Sequence, residues 1–409
     1  MTTYGIIYLD NAATTAIHPK VARVRNVVDG IFGNAGTMYR EGQRAREVIE
    51  DARGRIARHL GIRADLAKSR VFFTSGATEG NNWCIKGAVE AWWDRQRDET
   101  FRAMKNGESP ARLRKPRIVT DLGEHHSVLN VVQTLAQHGE CTAHYWSLDP
   151  KTGAVDAKKV LESVSEDTLL VSVMMINNET GVLNPVEEIG AGIRKYNNEH
   201  GCHVLFHVDA TQAIGKMAVD VNEIGCHMLT ASGHKFHAGK GRGFVYIDPY
   251  AEIANLLEGG GQQMGRRAGT EDTTAAACLA EALDIEWETN KWGQIDSYTR
   301  ETMKMLSEIE GVHFNGVYWP RSGIISVWFD GVESEELLAL LERNGVICSA
   351  GSACTTGEPT PSHVLTAMNA EEGSLKGTIR ISVGTLNTMS ELEKACEEIK
   401  MCVAILRGE

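Results

Sequence analysis

The chain has 409 residues but no CxxC pair, and no apolar run approaches the roughly 18 residues that a membrane-spanning helix needs. Its nine cysteines are odd in number and scattered, so they read neither as a disulfide framework nor as a zinc site. Most fit the role of reduced, buried small hydrophobes. Positive charge is also short: 42 Lys and Arg against 54 Asp and Glu leave a net charge of −12. That balance disfavours direct nucleic-acid binding and broad attraction to an anionic membrane. Repeats and low-complexity tracts are absent. The stretch from Met1 to Asp10 has no basic region, and Asp10-Asn11 interrupts its apolar character, so no targeting signal is read there and a cytoplasmic location is expected.

What is present is the composition of a soluble globular protein, with 42% apolar and 23% charged residues and length for two or three domains. The dominant pattern is a short apolar run, a Gly-rich or polar loop, then helical periodicity, which points to a mainly parallel α/β sheet. The clearest strand segments are 70–74 (RVFFT), 117–120 (RIVT), 169–176 (LLVSVMMI), 204–208 (VLFHV), 228–231 (MLTA) and 243–247 (GFVYI). Polar clusters follow at 76–82 (GATEGNN), 123–127 (GEHHS), 177–181 (NNETG), 209–212 (DATQ) and 232–235 (SGHK). Ligands in open α/β sheets sit beyond the carboxyl ends of the strands, so these clusters are expected to converge on one site.

After Gly259 the pattern changes to a glycine run, a helical stretch from Glu271 to about Glu310, strand-like segments at 323–329 and 378–383, and intervening helices. This reads as a smaller α+β domain. Residues 94–117 stand apart: eight basic and four acidic side chains make them locally +4. They serve either as a solvated excursion between a helix and a strand or as a docking surface for an acidic partner.

Several residues carry chemistry. Gly76 allows close backbone approach and Thr78 offers a hydroxyl at a helix start, an arrangement that serves a phosphate or a plain helix cap. Asp209 ends a buried strand, where a carboxylate needs a partner, and a protonated heterocyclic nitrogen is one. Pyridoxal phosphate enzymes use such an aspartate together with a lysine that holds the cofactor as a Schiff base, and Lys235, flanked by Ser232 and His234, ends the next strand. His125 and His126 have no companions at metal-ligand spacing, which leaves a ring stacked over a cofactor or a polar loop residue. His203 and His207 are expected to share one face of a strand as ordinary core or surface histidines. Cys354 lies among Ser349, Gly351, Ser352, Thr355 and Thr356 in a loop rich in small polar residues, unlike the apolar settings of Cys84, Cys226, Cys278, Cys396 and Cys402. An accessible loop cysteine is a candidate nucleophile, whereas Cys348 reads as a buried strand end.

With GATEGNN, EHHSVLN, NNETG, HVDATQ, SGHK, RRAGTED and SAGSACT in this order, the chain resembles the cysteine desulfurases of the iron-sulfur-cluster and nitrogen-fixation type. These are pyridoxal 5'-phosphate enzymes of the class V aminotransferase fold, and the resemblance runs from YLDNAATT at 8–15 to TIRISVG at 378–384. It implies a large cofactor-binding domain over 16–258, and a small domain formed by 1–15 and 259–409 that carries a mobile cysteine loop at about 347–362. It further implies that Lys235 binds the cofactor, His125 stacks on its ring, Asp209 pairs with the pyridinium nitrogen and Gln212 bonds the ring hydroxyl. Ala77, Thr78, Ser232 and His234 would hold the phosphate, with Thr270 from the neighbouring subunit of a homodimer. Asn178 and Arg380 would grip the carboxylate of L-cysteine. Lys235 would move protons, and Cys354 would take the sulfur as a persulfide for a sulfur-acceptor or scaffold protein, releasing alanine. No intrinsic metal is implied, and a transient role of Cys354 in ligating a cluster on a partner stays open.

Three features depart from the family pattern: the long basic segment, Gln263-Met264 where Glu and Arg are frequent, and Ala238-Gly239 where Gly-Pro is usual. The alternatives are a selenocysteine lyase, C–S lyase or aminotransferase on the same fold, and a non-catalytic scaffold.

Overall fold

The computed structural model describes residues 5–110, 112–289, 291–316, 322–351 and 361–409. Along the chain, β1 (Ile7–Tyr8), α1 (Pro19–Val28), α2 (Arg40–His59), β2 (Val71–Thr74), α3 (Ala77–Lys105), β3 (Arg117–Asp121) and α4 (His126–Gln137) come first. Then follow β4 (Thr142–Trp146), α5 (Ala157–Glu162), β5 (Thr168–Met174), α6 (Val186–His200), β6 (Leu205–Asp209), α7 (Val221–Ile224), β7 (Met228–Ser232) and β8 (Gly243–Ile247). The remainder is α8 (Thr273–Thr289), α9 (Lys291–Leu306), β9 (Val312–Phe314), β10 (Ile324–Phe329), α10 (Ser334–Arg343), β11 (Val346–Ile347), α11 (His363–Ala367), α12 (Glu372–Gly377), β12 (Ile379–Ser382) and α13 (Met389–Arg407).

A seven-stranded sheet in the order β2-β8-β7-β6-β5-β3-β4 forms the centre, with β8 antiparallel to both neighbours and the other pairs parallel. Helices cover both faces: α3 and α4 pack on one, α2, α6 and α8 on the other. Strands covered on both faces are mostly apolar, and every residue of β5 is buried, Thr168 and Ser172 included. The edge strand β4 reads Thr-Ala-His-Tyr-Trp and is half-exposed, which is why no apolar run marked it. Helix α2 buries Ala45, Ile49, Ala52 and Ile56 along one stripe against the largely buried α8.

The smaller assembly is an antiparallel sheet β12-β10-β9 with α10 and α13 packed together beside it. Helix α13 starts with a capping box between Thr388 and Glu391. The N-terminal strand β1 pairs in parallel with β11, and Asp10 bridges to Ser382, so residues 7–10 belong to this sheet layer. We propose a division into two units whose boundary lies near residue 290 rather than at 258/259, because the buried side chains of α8 share the core of the large sheet. The helical stretch read over 271–310 divides into α8 and α9. His203 precedes β6 and bonds the Tyr250 carbonyl, whereas His207 is inside the strand and fully buried, so the two do not share a strand face. Of the basic 94–117 segment, 94–105 form the last turns of the 29-residue α3 and Arg117 opens β3, and Arg95, Arg97 and Arg114 are paired with Glu252, Asp94 and Asp167.

Candidate active site

A cavity of about 820 Å³ opens where the carboxyl ends of β3, β5, β6 and β7 meet the start of α3 and the N-terminal segment. Of the residues singled out from sequence, Ala77, Thr78, His125, Asn178, Asp209, Gln212, Ser232, His234, Lys235 and Arg380 all line it. Thr270 does not; it is exposed beyond this chain's own cavity. Cys354 lies outside the described residues, but Gly351 and His363, on either side of that gap, line the cavity.

Asp209 is the last residue of β6 and is buried. Its Oδ2 accepts from Asn81 Nδ2 at 2.7 Å and its Oδ1 from the Thr211 backbone at 2.9 Å. Asn81, fully buried on α3, also donates to Ser127 Oγ and accepts from Thr230 Oγ1, so the carboxylate is fixed by a network spanning α3, α4 and β7. The motif reading missed Asn81, although it stands inside GATEGNN, three residues after Thr78.

Lys235 sits in a short 3₁₀ turn after β7. Its Nζ donates to the carbonyls of Ala12 at 2.6 Å and Ala13 at 2.8 Å. Burial, with Arg380 nearby, pulls its pKa down to about 8, while Asp10 and Asp209 oppose the shift. Gln212 Nε2 donates to the same Ala12 carbonyl at 3.0 Å. The backbone contribution of Ala12 and Ala13 leaves no side-chain signature, so the sequence held no signal for it.

His125 caps α4, its Nδ1 accepting from the Ser127 backbone at 3.1 Å, and its ring is open to the cavity. The low-dielectric cavity walls hold the imidazole below its usual range; Asp209 opposes this and Lys235 reinforces it. His234 is pushed down to about 4 by burial and by Lys235 and Lys240. A neutral ring there is available to an anion that would reverse the shift.

The N-terminus of α3 lines the cavity with Gly76, Ala77, Thr78 and Glu79. Gly76 takes φ +155° and ψ 179°, which only glycine adopts freely, and a Cβ on Gly243 would meet Gly76 Cα at 2.6 Å. Thr78 is not the helix cap: Gly76 holds that position, with no side-chain capping bond. The first-turn N–H groups are left for a ligand. Glu79 braces this end, its carboxylate in a fork with Arg267 at 2.8 and 3.1 Å and accepting from the Ser75 backbone. Burial alone would raise its pKa, but these donors hold it below the usual range.

At the opposite wall, Arg380 of β12 bonds Asp10 Oδ1 through Nη2 at 2.8 Å and the Asn178 carbonyl through Nη1 at 2.8 Å. Three buried polar atoms of cavity-lining residues, Arg380 Nε, Asn178 Oδ1 and Thr211 Oγ1, have no partner among the described residues. Unpaired buried donors and acceptors fit a polar ligand.

The departure at Gln263 has a structural role. Its Oε1 accepts from the Phe73 backbone at 2.9 Å and from the buried Arg53 at 3.0 Å, which ties the glycine-rich segment to β2. Eight cysteines are described and all are free. Burial pushes the Cys348 thiol up to about 12, with Asp10 adding to the shift, so this cysteine is a poor thiolate.

Comparison with known proteins agrees with this architecture. Residues 7–395 match the family model described as Aminotransferase class-V. A cysteine desulfurase IscS of Methanosarcina thermophila is 33% identical over 98% of this chain and 93% of its own length. An IscS-like cysteine desulfurase of Mycobacterium tuberculosis is 35% identical over 98% and 97%. The solved structure of a NifS-like protein superimposes with TM-score 0.84 at 30% identity, covering 98% of this chain and 100% of that one. The chain belongs to the class V aminotransferase family. Within it, the chain groups with the cysteine desulfurases of the IscS and NifS type. Among the described residues, no helix is long and apolar enough to cross a membrane.

Proposed function

We propose that the protein is a pyridoxal phosphate-dependent cysteine desulfurase, a cytoplasmic homodimer that converts L-cysteine to L-alanine and loads the sulfur on Cys354 for an acceptor protein. The observation that carries this reading is the convergence of Lys235, Asp209, His125 and Arg380 on one cavity bordered by Gly351 and His363. Cys354 follows Gly351 by three positions, which extended chain spans in at most about 11 Å.

The residues present fit the cofactor. Asp209 would pair with the ring nitrogen, His125 would stack on the ring and Gln212 would bond its oxygen. The first-turn N–H groups at Ala77 and Thr78, with Ser232 and His234, would take the phosphate, and Thr270 would reach across from the neighbouring subunit. When bound, pyridoxal phosphate supplies an electron sink for the substrate α-carbon. Arg380 and Asn178 bind and orient the substrate carboxylate. Lys235 takes and returns protons at Nζ, a task suited to an amine held near pH 8. The Cys354 thiolate attacks the substrate sulfur: the substrate C–S bond breaks, an S–S bond forms on Cys354, and alanine leaves. L-cysteine plus one thiol thus become L-alanine plus one persulfide, with no outside oxidant.

Thr270, exposed away from its own cavity, supports the dimer, as do the exposed apolar side chains of Phe32 and Met38. Free thiols at all eight described cysteines accord with a reducing compartment. Alanine release from L-cysteine by the purified, cofactor-loaded protein tests the reading, with Lys235→Ala expected to abolish it.

A further inference from the structure

No motif singles out Lys216, yet it lies four positions beyond Gln212, in the turns that follow β6, and is 6% exposed. No carboxylate pairs with it among the described residues. Its Nζ donates to Gln212 Oε1 at 2.8 Å and to the Ser322 carbonyl at 3.4 Å. Burial, with Lys235 and Arg380 as neighbouring cations, lowers its pKa to about 7. A buried amine beside two other cations is a costly feature, and a methionine of similar length would fill the same space without that cost.

The geometry accounts for the amine. The Lys216 amine donates to the Gln212 amide, and only the carbonyl oxygen of an amide accepts, because its nitrogen is itself a donor, so the atom facing Lys216 is Oε1. That fixes Nε2 on the other side, where one N–H reaches the Ala12 carbonyl at 3.0 Å and the second is left for the cavity. An unconstrained glutamine amide can flip; with Oε1 turned inward it would set an acceptor against the ring oxygen of the cofactor.

We propose that Lys216 is a positioning residue that locks the Gln212 amide with its nitrogen toward the cavity, so that Gln212 donates to the ring oxygen of the cofactor. This rests on the cofactor reading given above. Through the Ser322 carbonyl the same amine also ties this lock to the segment preceding β10, in the smaller sheet.

The test is spectroscopic and uses no substrate. Protein loaded with pyridoxal phosphate is titrated with alkali, and the midpoint of its visible absorbance change is compared among wild type, Lys216→Met, Gln212→Leu and the double variant. The other charged groups lining the cavity (Asp10, Glu79, Glu179, Asp209, Lys235, Lys240 and Arg380) and its histidines His125, His126, His234 and His363 are unchanged in all four. A donor to the ring oxygen stabilises its negative charge. Losing that donor makes the neutralising proton harder to remove, and the midpoint rises by about one pH unit. Lys216→Met is expected to shift it in the same direction as Gln212→Leu, with no further shift in the double variant. Lys216→Gln, which keeps an N–H donor one bond shorter, is expected to return the midpoint toward wild type. An unchanged midpoint in Lys216→Met, or shifts that add in the double variant, overturns the positioning role, as does failure of both Lys216 variants to fold. The absence of any visible band that Lys235→Ala removes would instead overturn the cofactor reading itself.

Discussion

Arg380 Nη2 lies 2.8 Å from Asp10 Oδ1, an ion pair that joins β12 to the N-terminal segment at the cavity wall. Both side chains are largely buried, at 6% and 16% exposure, so removing either partner leaves an uncompensated charge. Arg380→Lys keeps the charge opposite Asp10 and loses the planar fork. Steady-state kinetics are expected to show the KM for L-cysteine raised by about tenfold or more, with a small change in the thermal midpoint of unfolding. An unchanged KM would remove Arg380 from carboxylate binding.

Asn81 is the donor that orients Asp209. Asn81→Asp preserves shape but sets a second carboxylate against Asp209 Oδ2, where like charges disfavour ionisation of both. Affinity for pyridoxal phosphate, measured by equilibrium dialysis, is expected to fall by about tenfold or more. Unaltered affinity would mean that the charge on Asp209 is not what holds the cofactor.

Glu124 is fully buried, and no side chain among the described residues donates a hydrogen bond to its carboxylate, with only the backbone at Met174 and His125 weakly opposing the effect of burial. Burial, then the neighbouring Asp121 and Asp209, raises its pKa well above the usual carboxylate range. Burial also raises Asp121, to about 7. A carboxyl with a raised folded-state pKa binds more protons in the folded than in the unfolded state. Its cost to stability therefore begins as pH rises past the unfolded pKa, at up to about 1.4 kcal/mol per pH unit. Glu124→Gln mimics the protonated form and is expected to raise the denaturation midpoint at pH 8, with the gain shrinking toward pH 4. A gain that does not vary with pH would contradict this.

Lys216 titrates in the opposite sense. With its folded-state pKa lowered to about 7, the unfolded chain binds more protons above that pH, so stability contributed at this position rises from about pH 7 toward the ordinary lysine value. Denaturant unfolding of cofactor-free protein is expected to show a shallower rise over that range in Lys216→Met than in wild type. Equal slopes would place the charge elsewhere.

The legible part of the fold was the part buried on both faces. Strands β3, β5, β6 and β7 are mostly apolar runs followed by polar clusters, and the clusters mark the site because strand ends carry it. Strand β4 carries no apolar run because an edge strand needs none, and sequence order does not reveal which core the alanine-rich α8 enters. Asp209 and Lys235 were readable as strand-end charges. Asn81, Glu124 and Lys216 were not, since a buried polar residue within a helix or turn looks in sequence like a surface one, and its partners are distant in the chain.

Cys348 stands six positions before Cys354. Burial pushes the Cys348 thiol up to about 12, so Cys348→Ala is expected to leave alanine formation within about twofold of wild type.

The central claim is sulfur transfer through Cys354, and mass spectrometry of the cofactor-loaded protein after a single exposure to L-cysteine tests it directly. The account predicts one added sulfur atom on the peptide bearing Cys354, an equivalent amount of alanine, and loss of both in Cys354→Ala while the visible absorbance of the loaded protein is retained. Wild-type rates of alanine formation in Cys354→Ala, or the added sulfur on another cysteine, would contradict it.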